Sequence, residues 1–137
     1  MDWEVCKKEH ISKVEPDQDK INSILKMTKV RHRVLNYIKQ DSETTSIICE
    51  NYYEIMKELL IAIMIKDGLK SKNHECLVSY FKRKYPNYEF EISVIHYLKK
   101  IRNKISYDGF FIEEDYLEKN KLEFEHIINL LIDKILE

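Results

Sequence analysis

YYEIMKELLIAIMIKDGLKSKNHECLVSYF, Tyr52–Phe81, is the stretch on which the fold turns. Tyr52, Ile55, Leu59, Ala62 and Ile63, with Ile48 before them, recur at the spacing of one helix face. Gly68 ends that helix, because glycine readily takes the left-handed conformation that closes one. Ser71 or Asn73 then offers a cap for a shorter helix through His74, Leu77, Val78 and Phe81. Lys82, Arg83 and Lys84 complement the negative end of its dipole before Pro86 stops it.

The same reading extends outward in both directions. Asp41 or Ser42 is placed to cap the helix that holds Tyr52. Upstream, Pro16 with Asp17 and Asp19 forms a helix entry, followed by Ile21, Ile24, Leu25, Val34, Leu35 and Ile38 to about Lys39. Downstream, Val94, Leu98, Ile101 and Ile105 line a helix from about Glu91 to Asp108–Gly109. A last helix starts near Glu113 and carries Leu117, Phe124, Ile127, Leu131 and Ile135. With only two glycines and two prolines in 137 residues, a sheet protein would lack turns. The expectation is an all-α, up-and-down antiparallel bundle of about five helices in one domain, with Met1–Glu15 loosely attached.

Composition narrows the function classes. Twenty-three basic residues oppose 24 acidic ones, so any nucleic-acid surface must be local. The three cysteines, Cys6, Cys49 and Cys76, are odd in number and lack CxxC spacing, which predicts neither a disulfide framework nor a zinc site. The apolar run Leu59–Ile65 is too short to span a bilayer, and Met1–Glu9 does not read as a signal peptide. Together these predict a cytoplasmic protein of a reducing compartment that does not engage a membrane.

The stretch richest in chemistry is RNKISYDG, Arg102–Gly109. At 100° per residue, Arg102 falls roughly 60° from the apolar line Val94–Leu98–Ile101–Ile105. A border arginine packs its stem and leaves its planar fork for a phosphate or carboxylate. Ser106 lies beside it, with Lys99 and Asn103 further round the helix. Tyr107 points away on a regular helix, and converges with Arg102 only if Asp108–Gly109 unwinds the end. The alternative is that Arg102 pairs with a glutamate of a neighbouring helix.

Tyr53-x-x-x-x-Glu58-Leu59-Leu60, Gly68, His74 and IRNKISYDG (Ile101–Gly109) carry a likeness. The chain resembles the HEPN family, small helical bundles of prokaryotic toxin and defence systems, over about Ile47–Leu136. On that resemblance residues 1–46 are an N-terminal helical extension and 47–137 the HEPN-like core. The resemblance implies a homodimer with motif residues facing a shared cleft, and in active members a metal-independent endoribonuclease. By position Arg102 would hold the scissile phosphate and Asn103 would help to place it. Tyr107 stands where the family has its acid–base histidine. A phenol is only about one part in a thousand ionised at neutral pH, so it is a poor base. The resemblance therefore implies an endoribonuclease or a catalytically decayed relative binding RNA or nucleotide phosphate. A nucleotidyltransferase-type antitoxin is the implied partner, with Arg102, Asn103 and Tyr107 as the catalytic set. Ser106, Lys99 and His74 are the substrate-binding candidates, and no cofactor or metal is implied. The alternative is a non-catalytic protein-interaction or dimerisation module.

Other polar clusters read as structural. His96 shares the outer face with Asn103, and His10, His32 and His126 lack supporting neighbours in sequence. Glu123-x-x-His126 has helical ligand spacing, but no second copy accompanies it. Arg31–Arg33 and Lys82–Lys84 are the compact basic clusters. The second, flanked by Phe81 and Tyr85, offers phosphate contacts with aromatic support or simply complements its helix dipole.

Overall fold

The scarcity of chain breakers is expressed as six helices. A computed structural model describes all residues 1–137. In chain order these are α1 (Trp3–Glu9), β1 (Ile11–Lys13), α2 (Gln18–Leu35), α3 (Thr45–Lys66), β2 (Leu69–Ser71), α4 (His74–Lys84), α5 (Glu89–Asp108) and α6 (Glu114–Leu136). The architecture is an all-α helical bundle with one small two-stranded sheet. No helix is long and apolar enough to cross a membrane.

Helix α3 is the axis of the bundle. Helices α2, α4, α5 and α6 all pack on it. Ala62, Ile63, Met64 and Ile65 are consecutive and all buried, so the helix is covered on every side. That differs from the single apolar face read from the sequence, because an all-round apolar helix can only be a central one. Ile55, Met56, Leu59 and Ile63 are wholly enclosed, each contributing about 1.5–3 kcal/mol relative to an exposed side chain. Ile21 and Leu35 of α2 join the same core as Leu131 and Ile135 of α6. The boundary expected between residues 46 and 47 therefore falls within α3, between buried Ser46 and exposed Ile47.

Local chemistry sets the helix ends. Asp17 accepts the Lys20 N–H at 3.0 Å and Asn73 the Glu75 N–H at 2.8 Å, capping α2 and α4. Asp41 instead accepts the Glu43 and Thr44 N–H groups at 2.9 Å each, closing a turn, and α3 begins at Thr45. Those backbone donors hold the Asp41 carboxyl below its ordinary range. Gly68 and Gly109 have φ of 74° and 63°, where a side chain is strained. The Ile112 N–H donates to Ser46 Oγ at 2.7 Å, tying the chain after α5 back to the start of α3.

The amino-terminal stretch departs from expectation. Far from hanging loosely, Met1–Glu15 contains α1 and β1, and β1 pairs antiparallel with β2 in the register Ile11↔Ser71, Ser12↔Lys70, Lys13↔Leu69. A Cys6–Cys76 disulfide, with Cα atoms 5.5 Å apart, joins α1 to α4, and Cys49 remains free and buried. Spacing hides this bond because its cysteines are 70 residues apart and meet only when α1 packs on α4. Trp3 adds an aromatic contact to Tyr80, with ring centroids 5.4 Å apart.

Candidate phosphate-binding site

Helix α5 buries Ile92, Ile95, Leu98 and Ile101, with Val94 and Ile105 only partly covered. The buried direction is thus rotated toward Ile95 from the line read in the sequence. Arg102 follows Ile95 by seven residues, about 20° away on a helix, so it points into the seam with α3. There its guanidinium donates to Glu54 Oε1 at 3.4 Å and to Asn103 Oδ1 at 3.2 Å. It also lies over the Tyr53 ring, 5.5 Å from the centroid. Arg102 is therefore engaged by a glutamate of the neighbouring α3, which is the alternative read from the sequence, and its guanidinium is not left wholly unengaged at the helix border. Burial raises the Glu54 carboxyl, but Lys57 at 2.7 Å and Arg102 outweigh it and hold the group below its ordinary range. Burial pushes the Tyr53 phenol up to about 12, against the opposing pull of Arg102, so it stays protonated.

Arg102, Asn103 and Tyr107 open on one concavity of about 450 Å³, together with Lys99, His74, His10, Lys72 and Asn73. Five of the six residues singled out from sequence meet here. The sixth, Ser106, does not line it and donates to Glu50 at 3.0 Å. Helix α5 stays regular through Asp108, and Tyr107, 77% exposed, reaches the concavity without the unwinding expected for it. Three permanent cations line the space and no carboxylate does. Acids contact its lining residues without themselves lining it: Glu54 on Arg102, Glu75 on Lys99 at 3.6 Å and Glu9 on His10 at 3.9 Å. Burial, then the charges of Lys57, Arg102 and Lys99, keep the His74 imidazole below its ordinary 6.5 and neutral at pH 7. Of the two caps offered by the sequence, Asn73 and not Ser71 supplies that of α4.

Sequence reasoning missed the near side of this space. His10 follows α1 and Lys72 precedes α4, and the β1–β2 pairing with the Cys6–Cys76 bond brings both to Arg102. No pattern in the sequence signals that pairing. Other histidines also gain partners that the sequence hid. His32 meets Glu125 at 2.6 Å, and Glu125 accepts from the Tyr52 hydroxyl at 2.7 Å. His126 lies 3.8 Å from Glu91. His96 is exposed, as its outer-face position implied. The basic run at the end of α4 is partly neutralised, with Lys84 on Asp67 at 2.6 Å.

The chain matches no protein-family model, no curated protein and no solved structure.

Proposed function

We propose that the chain is a HEPN-type domain that holds RNA or nucleotide phosphate in the Arg102 concavity, within a toxin–antitoxin or defence-type system. The observation that carries this reading is the convergence of Arg102, Lys99, Lys72 and neutral His74 on one open space with no acid in its lining. Arg102 carries five N–H donors, and Glu54 and Asn103 engage only part of that set. Glu54 orients the fork from behind, while the remaining donors serve a phosphate oxygen. Asn103 adds its amide, Lys99 and Lys72 add charge, and the exposed Tyr107 hydroxyl donates from the rim. On this reading the protein works in the cytoplasm as a homodimer, with a nucleotidyltransferase-type antitoxin. Tyr107 in place of an imidazole favours binding over rapid cleavage.

The test is fluorescence anisotropy with a short single-stranded RNA, beside a cleavage gel. Arg102→Ala should weaken binding at least about tenfold, and wild-type affinity should fall steeply with salt. Cleavage that vanishes in Arg102→Ala would identify an enzyme; cleavage gained only in Tyr107→His would identify a decayed site. Binding indifferent to Arg102→Ala and Lys99→Ala would overturn the reading.

One observation favours a second reading, that of a protein-interaction or dimerisation module. Tyr107, Phe110 and Phe111 are 77%, 54% and 65% exposed in one short stretch at the end of α5. An apolar rim of that kind suits a protein surface. Sedimentation of wild type against Phe110→Ser/Phe111→Ser separates the readings, because loss of assembly with RNA binding intact supports the second alone.

A further inference from the structure

Helices α5 and α6 are held mainly through α3, and the few links between them are made by side chains. Tyr97 and Tyr116 meet with ring centroids 5.6 Å apart. Near the start of α5, Glu91 faces Glu123 and His126, which are three residues apart on one face of α6. One ligand atom from each of the three lies within 4.8 Å of the others. Two carboxylates brought this close repel unless a cation stands between them. No lysine or arginine pairs with either, and the only ionic contact is His126 to Glu91 at 3.8 Å. Independently, Glu123 Oε1 is buried and has no hydrogen-bond partner, a costly state for a carboxylate oxygen.

We propose that Glu91, Glu123 and His126 form a divalent transition-metal site that staples α5 to α6. A cation there supplies the partner that the buried Glu123 oxygen lacks and removes the repulsion between the two acids. One imidazole nitrogen with two carboxylate oxygens suits Zn²⁺, Co²⁺ or Mn²⁺ better than Ca²⁺ or Mg²⁺, which take oxygen ligands. Ligand atoms about 2.1 Å from zinc sit about 3.4 Å apart, so the three groups must close slightly from their present spacing. The His126 side chain, 56% exposed, has room to make that movement. Water would complete the coordination, since the chain offers three ligands. The sequence pointed away from this site because Glu123-x-x-His126 stood alone; the third ligand comes from 32 residues earlier on a different helix.

The test is calorimetry of the full-length chain with Zn²⁺ alone, repeated with Co²⁺ to read the d–d absorption of a nitrogen–oxygen site. One equivalent should bind and raise the melting temperature. Glu91→Gln, Glu123→Gln and His126→Gln should each weaken binding at least about tenfold and abolish the thermal shift. His126 is exposed, so its variant tests the site without endangering the fold. His96→Gln, at an exposed position outside both the metal site and the concavity, should leave Zn²⁺ binding unchanged. Absence of binding, or binding lost in His96→Gln and kept in His126→Gln, would overturn the proposal. Neither result depends on whether the protein binds RNA.

Discussion

Tyr52 and Tyr53 are adjacent on α3, yet each anchors a different kind of polar seam. On one side Tyr52, 1% exposed, donates to Glu125 at 2.7 Å, and His32 meets the other Glu125 oxygen at 2.6 Å. Both carboxylate oxygens are engaged at short range, and the contacts link α2, α3 and α6. Burial, reinforced by Glu125, raises the Tyr52 phenol and keeps it a donor. On the other side the Tyr53 ring lies under Arg102, whose hold on Glu54 is long at 3.4 Å and whose fork borders open space. The same ingredients thus produce a seam whose carboxylate is paired at both oxygens and one whose guanidinium keeps spare donors. A network whose members are fully paired stabilises and orients; one with spare donors beside a concavity is equipped to bind.

Substitutions can break this contrast. Phe124 is fully buried and packs on Tyr52 with ring centroids 5.2 Å apart. Phe124→Ala should cost about 3–5 kcal/mol in denaturant unfolding, the largest effect, by opening a cavity beneath the Tyr52–Glu125 seam. Tyr52→Phe should cost about 1–3 kcal/mol, because Glu125 Oε1 loses its buried donor. Arg102→Ala should cost under about 1 kcal/mol, since Glu54 keeps Lys57 at 2.7 Å and the pair is partly solvated. A cost for Arg102→Ala as large as that for Tyr52→Phe would erase the distinction between the seams. Tyr107→Phe, at an exposed position, should stay within about 0.5 kcal/mol.

Acid sharpens the contrast further. The folded-state pKa of His74 lies below its ordinary value of 6.5, so the native chain binds fewer protons there than the unfolded one. The stability this group contributes is present above pH 6.5 and is lost as pH falls through the folded value. His74→Gln should flatten that part of a stability-against-pH curve. Protonation also adds a charge beside Lys99 and Arg102, while Glu54, held below its ordinary range, stays ionised. If the proposed phosphate-binding reading holds, RNA binding should therefore tighten as pH falls below 6.5, and His74→Gln should remove that trend.

Much of the fold was legible because helix signals are local. Asp17 and Asn73 cap where their side chains could reach backbone N–H groups two or three residues on. Gly109 stops α5 at the residue whose φ requires glycine. The site was legible in composition, as Arg102, Asn103, Tyr107, Lys99 and His74 do share one concavity. Its partners were not. Glu54 lies 48 residues before Arg102, and His10 arrives only through the β1–β2 pairing. The direction of Arg102 was misjudged for a related reason. Val94 and Ile105 are as apolar as Ile92 and Ile95, and only the position of α3 selects which of them is buried.

By itself, the sequence determined five of the six helices, several of their ends and the cluster of cation, amide and phenol near the close of α5. Those properties depend on residues within a turn or two of one another, where spacing and backbone chemistry suffice. Only the tertiary structure decided that α3 is the axis, that Cys6 meets Cys76, that Glu54 holds Arg102 and that Glu91 meets His126. Each of those contacts joins residues tens of positions apart, and the packing of whole helix faces on a shared core brings them together.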